Sequence, residues 1–179
     1  MRKGINLTAA FTAIALISGF ATASSAQQED RLLAIVESFL QADDWHYSRV
    51  EDTTILSMGF RGNNGTWTCY ARTREQEERF IFYSVLSTNV PEHMRLAAAE
   101  YLTRANYGML IGNFELDFSD GEVRYKTSID VEGGTLTHKM IENMIYVNVL
   151  TMDRYLPGLN RVVYGNVSPQ LAIAEVEGQ

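Results

Sequence analysis

The chain has 179 residues, of which 46% are hydrophobic, 11% aromatic and 21% charged. This composition is typical of one globular domain, and it excludes collagen-like, coiled-coil and intrinsically disordered chains. The formal net charge of −7 argues against a general nucleic-acid binder, because such proteins normally need a basic face. The single cysteine, Cys69, excludes an intramolecular disulfide and a cysteine-rich metal centre.

Residues 1–26 have the pattern of a cleavable secretory signal peptide. Two basic residues near the start precede an uncharged stretch from Ala9 to Phe20, and small residues then lead to a cleavage site after Ala26, or alternatively after Ala23. The apolar stretch is shorter than the roughly 20 residues of a membrane span, so an uncleaved anchor is the less favoured alternative. We expect an exported protein, periplasmic or secreted, with residues 27–179 as a single domain without an integral membrane segment.

Cleavage would make the protein more acidic. Residues 1–26 contain two of the 15 basic residues and none of the 22 acidic ones, so the mature chain carries 13 basic against 22 acidic residues, a net charge of −9. An acidic surface favours solubility and disfavours adhesion to anionic membranes.

The first part of the mature chain is predicted to contain a helix followed by strands. Apolar residues at helical spacing predict a helix from Asp30 to Ala42. Alternation between Trp45 and Val50 indicates a short strand. The continuous apolar run within Arg79–Leu86 predicts a further strand that is buried on both faces.

A hairpin is predicted between these strands, from Ile55 to Thr73. Asn64-Gly65 is typical of a two-residue type I′ turn, which would pair Met58 with Ala71 and place the apolar residues on one face. Gly62 leaves a four-residue loop as an alternative.

The middle of the chain is predicted to form a helix and a second hairpin. The helix extends from Pro91 to Ala105, with an amphipathic stripe behind a proline in its first turn. The hairpin covers Asn113 to Val131, with Asp120-Gly121 as a two-residue turn. This register aligns apolar pairs on one face and sets Asp117 opposite Arg124 on the other.

The last part is predicted to be helical. A long helix runs from Leu136 to Tyr155, with Thr135 or Thr137 as the cap, and Pro157-Gly158 interrupts it. Leu159–Tyr164 can continue as a shorter helix, and Ser168-Pro169 is typical of the start of a last helix over Gln170–Val176. The full order, α-β-β-β-α-β-β-α, predicts an α+β fold with an antiparallel sheet and flanking helices.

Several motifs of the mature chain are distinctive when taken together: Val90-Pro91-Glu92, Asn106, Gly112–Asp117, Asp120–Tyr125, Asn148 and Met152-Asp153. On these motifs the chain resembles, from about Asp30 to Glu175, the YbjN-like domain family, bacterial proteins labelled as sensory transduction regulators. The resemblance implies a fold like that of the type III secretion chaperones and a non-catalytic role in protein binding, either chaperone-like or regulatory. The family has no agreed catalytic residues, so the resemblance assigns none.

No catalytic or metal-binding motif is visible in the residues themselves. The sequence has no His-Glu-x-x-His, Cys-x-x-Cys, Gly-x-Ser-x-Gly or phosphate-binding glycine loop. His138 and Glu142 lie one helical turn apart and could share a metal, but a solvated pair is the favoured interpretation. Asp117–Gly121 is only faintly similar to a calcium loop, and the hairpin explains it better. We expect no catalytic site, no metal and no cofactor.

The long helix has more apolar surface than one sheet face can cover. Its apolar arc spans roughly 200°, against the roughly 100° that packing on one side requires. The excess predicts an interface at Met140, Val147 and Thr151, either with a second copy of the chain or with another protein. Neighbouring helices of the same chain are the alternative cover. Asn148 lies inside the arc and needs a hydrogen-bond partner if it is buried.

These observations predict a non-catalytic, exported binding module that is homodimeric or binds a protein partner. The alternative is a periplasmic carrier of a small molecule or lipid, or an undetected hydrolase, with a pocket between the sheet and the long helix.

Overall fold

The computed structural model describes residues 31–178. The predicted signal peptide, residues 1–26, and its cleavage site at Ala26 lie outside the described residues, and so does the predicted helix start at Asp30. Within residues 31–178, no helix is both long and apolar enough to cross a membrane.

The described residues form helices and strands in the order α-β-β-β-β-α-β-β-α-α. The elements are α1 (Arg31–Ala42), β1 (Ser48–Arg49), β2 (Ile55–Arg61), β3 (Thr66–Arg74), β4 (Arg79–Val85), α2 (Arg95–Asn106), β5 (Asn113–Leu116), β6 (Val123–Asp130), α3 (His138–Gly165) and α4 (Pro169–Glu177). A short 3₁₀ turn, Glu92–Met94, precedes α2. The predicted fold class is confirmed; the short strand expected between Trp45 and Val50 is β1, and the expected last helix is α4.

All six strands lie in one antiparallel sheet with the order β1-β2-β3-β4-β6-β5. The helices pack against one face of this sheet and bury its alternate residues there, among them Leu56, Phe80, Phe82 and Tyr125. Side chains on the other face are exposed or half-buried. The domain therefore has two layers, with its core between the sheet and the helices.

The strand β4 differs from its prediction of burial on both faces. Phe80, Phe82 and Ser84 are buried, whereas Ile81 and Tyr83 between them are only partly buried. Helices cover only one face of this antiparallel sheet. The apolar run of β4 therefore indicates a strand in the middle of the sheet, with Phe80 and Phe82 in the core and Ile81 and Tyr83 on the outer face.

The first hairpin has the predicted faces but not the preferred register. Met58 pairs with Cys69 rather than with Ala71, because the loop contains four residues, Gly62 to Gly65. This is the alternative that Gly62 had left open. A shift of two residues keeps every side chain on its face, so the apolar pattern cannot distinguish the two registers.

The second hairpin is shifted in the same way. Leu116 pairs with Val123, and the loop runs from Asp117 to Glu122, so the predicted two-residue turn is wrong. Arg124 forms its ion pair with Glu115 and not with Asp117, whose carboxylate accepts hydrogen bonds from Ser119 within the loop. Side chains that bond to their own loop thus favour the longer connection.

The long helix α3 passes through Pro157 without ending, so the predicted interruption is wrong. A proline removes the N–H that the carbonyl of residue i−4, here Asp153, would accept. The Nδ2 of Asn64 in the β2–β3 loop donates to that carbonyl at 3.0 Å and takes the place of the missing donor. The Asp153 carboxylate in turn accepts from the backbone N–H groups of Asn63 and Asn64, at 3.1 and 2.8 Å.

The cap predictions for the last two helices are confirmed. The side chain of Thr137 accepts from the N–H of Met140, and Ser168 accepts from the N–H of Leu171. Asn148 is fully buried, and its Nδ2 donates to the carbonyls of Phe82 and Tyr125, both at 3.0 Å. Because those carbonyls belong to β4 and β6, Asn148 fixes α3 across two neighbouring strands.

Candidate functional site

The predicted interface residues lie along one edge of α3. Met140 is 38% exposed, and Val147 and Thr151 are half-buried. The residues at the centre of the apolar arc, such as Ile141 and Ile145, are buried against the sheet. The apolar residues of α3 therefore extend beyond the face that packs on the sheet, as the helical wheel predicts. Other segments of the chain cover part of this additional apolar surface.

One of these segments, the loop between α2 and β5, is itself apolar and exposed. Leu110 is 99% exposed and Tyr107 is 91% exposed. On α3, across the groove from Tyr107, Leu150 is 61% exposed. Together with α3 the loop forms a groove of about 560 Å³, which is lined by Val147 and Thr151 among others.

We call this region the loop–helix surface, and define it by its apolar and groove-lining residues on the two segments: Tyr107, Met109, Leu110, Ile111, Val147, Leu150 and Thr151. It contains two of the three predicted interface residues. Met140 lies on the same edge of α3 but does not line the groove. The sequence analysis missed the loop residues, although an apolar run between Gly108 and Gly112, outside any predicted helix or strand, was a usable signal.

The loop is held in place at its end by hydrogen bonds to the sheet. The buried Tyr125 donates from its hydroxyl to the carbonyl of Ile111 at 2.6 Å. The side-chain amide of Asn106 pairs with both backbone groups of Phe114, accepting from its N–H at 2.7 Å and donating to its carbonyl at 3.1 Å. This amide occupies the free edge of β5 at Phe114 and limits strand addition there. The loop–helix surface therefore presents side chains rather than an open strand edge.

A second concavity lies between the sheet and the C-terminal half of α3. Asn64, Leu86, Leu156 and Asn160 are among the residues that line it, and its volume is about 200 Å³. This is where the alternative prediction placed a pocket for a carrier or hydrolase. Small-molecule sites usually enclose about 300–1,000 Å³, so this pocket is small for such a role.

The titratable side chains that line the loop–helix groove include Arg154, Tyr155 and Glu177, and the Tyr155 hydroxyl donates to the Glu177 carboxylate at 3.1 Å. Within residues 31–178, no group of three or more His, Cys, Asp or Glu side chains could hold a metal ion. The His138 ring packs edge-on against Phe39 at 5.8 Å, and Glu142 pairs with Lys139, so the structure gives His138 and Glu142 other partners.

Cys69 lies in the core beside Ser84, at 3.5 Å between Sγ and Oγ. Burial raises the pKa of its thiol to about 11, and the hydrogen bonds to Ser84 and Trp67 only partly oppose this effect. A thiol in this state is a poor nucleophile, since the thiolate is the reactive form.

The fold is that of a two-layer α+β domain with an exposed apolar surface. A model of the family described as "Putative bacterial sensory transduction regulator", named YbjN, matches residues 32–161, and the chain belongs to this family. The resemblance drawn from the sequence motifs is thereby confirmed.

Two solved structures are similar to the chain. "Crystal structure of YbjN, a putative transcription regulator from E. coli" is 13% identical with a TM-score of 0.54, and the match covers 82% of this chain and 92% of that one. "Structure of the HopA1-SchA Chaperone-Effector Complex" is 16% identical with a TM-score of 0.43, and covers 73% and 94%. No curated protein matches the chain. At 13% identity the first of these structures supports the fold alone.

Proposed function

We propose that this protein is an exported, non-catalytic binding module that acts in the bacterial periplasm through protein–protein contacts and forms a homodimer. The observation that carries the proposal is the loop–helix surface. Leu110 and Tyr107 are more than nine-tenths exposed on one loop, and Tyr107 lines the same groove as the exposed Leu150 of α3. Contiguous apolar surface of this kind is typical of interaction sites, whereas single exposed apolar residues are not.

The energetic argument concerns what covers this surface. Burying a large apolar side chain contributes about 1.5–3 kcal/mol relative to leaving it exposed. Tyr107 and Leu110 lie on one short loop, so the same partner can cover both at little cost in ordering. A second copy of the chain offers the same surface in return, as a two-fold symmetric dimer requires.

A regulatory role fits such a module better than direct contact with DNA. The family description names a regulator, and the structural relative from E. coli is called a transcription regulator. This chain has a net charge of −7 and begins with a signal-peptide pattern. We therefore infer regulation or chaperoning by protein contact, outside the cytoplasm.

Sedimentation velocity of residues 27–179 tests the homodimer. We expect the wild type to sediment as a dimer, and a Leu110→Glu/Leu150→Glu variant as a monomer with native circular dichroism, because both side chains are exposed. Met140→Glu/Val147→Glu probes the predicted edge of α3 in the same way. The matched control is Leu96→Glu/Leu171→Glu, which replaces exposed apolar residues outside this surface and should remain dimeric. A monomeric wild type would refute the homodimer, and a control that dissociates equally would refute its assignment to the loop–helix surface.

Intact mass tests the export. Protein expressed with its own N-terminus and recovered from the periplasmic fraction should begin at Gln27. Full-length protein that stays in the cytoplasm would contradict the export proposal and leave the interface proposal intact.

A further inference from the structure

The sheet face that the helices do not cover has its own chemistry. Strand register places side chains at alternate positions on this outer sheet face, with Tyr70 directly opposite Tyr83 and Lys126 next to Tyr83 on β6. These three side chains are half-buried. Arg72, the next residue of β3 whose side chain lies on this face, is exposed. In the described residues this is a broad, accessible surface on the side opposite the loop–helix surface.

Positive charge collects on the outer sheet face although the protein is acidic. Six basic side chains occupy its strand positions, against two acidic ones. The basic residues are Arg61, Arg72, Arg74, Arg79, Arg124 and Lys126, and the acidic ones are Glu115 and Asp130. Over the whole sequence the balance is reversed, with 15 basic against 22 acidic residues. The acidic excess therefore lies outside this face, mainly in the loops that connect the helices and strands.

The centre of this face combines an aromatic pair with cations. The guanidinium of Arg124 lies over the Tyr83 ring, 4.8 Å from its centroid. Arg124 and Lys126 both bind Glu115, one residue on the edge strand. Burial opposes ionisation of Glu115, but the hydrogen bonds from Lys126 and Arg124 outweigh it and lower the pKa of this carboxyl. A carboxylate is therefore already bound on this face by the groups that a ligand carboxylate would contact.

Not all of the basic side chains are neutralised within the domain. Arg74 pairs with Glu77 and Arg79 with Asp130. Within residues 31–178 Arg61 and Arg72 form no ion pair. Arg72 sits next to the aromatic pair on the central strand β3, so its guanidinium is available to a carboxylate that lies across Tyr70 and Tyr83.

We propose that the outer sheet face binds an extended, acidic segment of a protein partner. Tyrosine rings at the centre would contact the backbone and apolar parts of the segment, and Arg72 and Arg61, the two cations of this face that form no ion pair within residues 31–178, would bind its carboxylates. A peptide fits better than a nucleic acid, because Glu115 and Asp130 interrupt the basic surface and the whole molecule repels a long polyanion. The inference rests on the proposed function in requiring a protein partner, but it uses a separate surface.

Fluorescence anisotropy with defined probes tests the proposal. The probe is a short labelled peptide that alternates glutamate and threonine, and the control peptide carries glutamine in place of each glutamate. We expect the glutamate peptide to bind at low salt, and added salt to weaken it. Arg72→Glu should weaken binding about tenfold, since an attraction becomes a repulsion. Lys139→Glu on α3 changes the net charge equally and should have no such effect.

The outcomes separate this proposal from the homodimer. Equal affinity for the two peptides, an unchanged affinity in Arg72→Glu, or tighter binding of a labelled oligothymidine than of the glutamate peptide would each overturn it. Native circular dichroism of Arg72→Glu ensures that a loss reflects binding, because this side chain is exposed. Leu110→Glu/Leu150→Glu should retain peptide binding, and Arg72→Glu should retain the sedimentation of the wild type.

Discussion

Single residues connect the second hairpin to the segment before α2. Gly121 has a φ of +87°, and its carbonyl accepts from the N–H of Val90 at 2.8 Å. A Cβ at Gly121 would overlap the carbonyl oxygen of Val90. This position therefore requires glycine for two reasons, backbone conformation and close approach.

Gly133 provides a matched comparison, because its φ is +69° but a Cβ at this position would meet nothing within 4 Å. We expect Gly121→Val to lower the free energy of unfolding more than Gly133→Val. Backbone strain at positive φ costs about 1–2 kcal/mol in both variants, and the overlap with Val90 adds to it only at Gly121. Urea denaturation of the two variants measures the difference, and equal losses would show that the packing against Val90 does not matter.

Contacts between distant residues are what the sequence could not predict. Periodicity identified the buried face of α3 and the need of Asn148 for a partner, because both depend on local spacing. The bonds from Asn63 and Asn64 to Asp153 join positions about 90 residues apart. Nothing in the local pattern of either segment indicates the other, so Asp153 appeared only as part of a family motif and its contact with the loop was not predicted.

At the scale of elements, the same contacts explain two wrong predictions. Asp153 accepts from successive N–H groups of the four-residue loop and so favours it over the two-residue turn. In the opposite direction, Asn64 satisfies the carbonyl that Pro157 leaves free, and α3 continues to Gly165. Asn64-Gly65 and Pro157-Gly158 are turn and breaker signals locally, and tertiary contacts override both.

A double-mutant cycle tests this coupling between the loop and α3. Asn64→Ala should destabilise the wild type by about 1 kcal/mol, because the Asp153 carbonyl loses its donor. In a Pro157→Ala background the same change should cost less, since the introduced alanine restores the helical N–H. We expect a coupling of at least about 0.5 kcal/mol from denaturation midpoints. Asn63→Ala is the control, as only its backbone N–H contacts Asp153, and its effect should be additive with Pro157→Ala. If the effects of Asn64→Ala and Pro157→Ala are additive, the side chain of Asn64 does not take the place of the N–H that Pro157 lacks.

At the scale of the whole molecule, two different surfaces flank one filled core. The loop–helix surface was partly visible in the sequence, because an α3 arc wider than the sheet face can cover predicted exposed apolar residues. The basic outer sheet face was not visible in the sequence, because the net charge of the chain does not show how charged residues are distributed between the faces of the molecule. Only the strand register brings residues such as Arg72, Arg124 and Lys126 together, and the predicted register of the second hairpin was wrong by two residues.

Ionisable groups in the core and on the outer sheet face set how the free energy of unfolding depends on pH. Burial raises the pKa of Cys69 to about 11 from its ordinary value of 9.0, and it raises the pKa of Tyr125 as well. On the acid side, Glu115 has a lowered pKa, because its bonds to Lys126 and Arg124 outweigh the effect of burial. A lowered carboxyl pKa stabilises the fold above the ordinary value of 4.5 and loses that contribution as the pH falls through the folded pKa.

At alkaline pH the free energy of unfolding should decrease as the pH rises, and Cys69 allows a specific test of this dependence. Between about pH 9 and 11 the unfolded chain releases the thiol proton while the native protein keeps it, so the free energy of unfolding should fall across this window. A shift of this size corresponds to about 2–3 kcal/mol. Cys69→Ala should lower stability by a constant amount below this window and flatten the decline between pH 9 and 11. Urea denaturation of both proteins at several pH values measures the two slopes. If the curves run parallel through that window, the buried thiol is not the group that couples alkaline pH to unfolding.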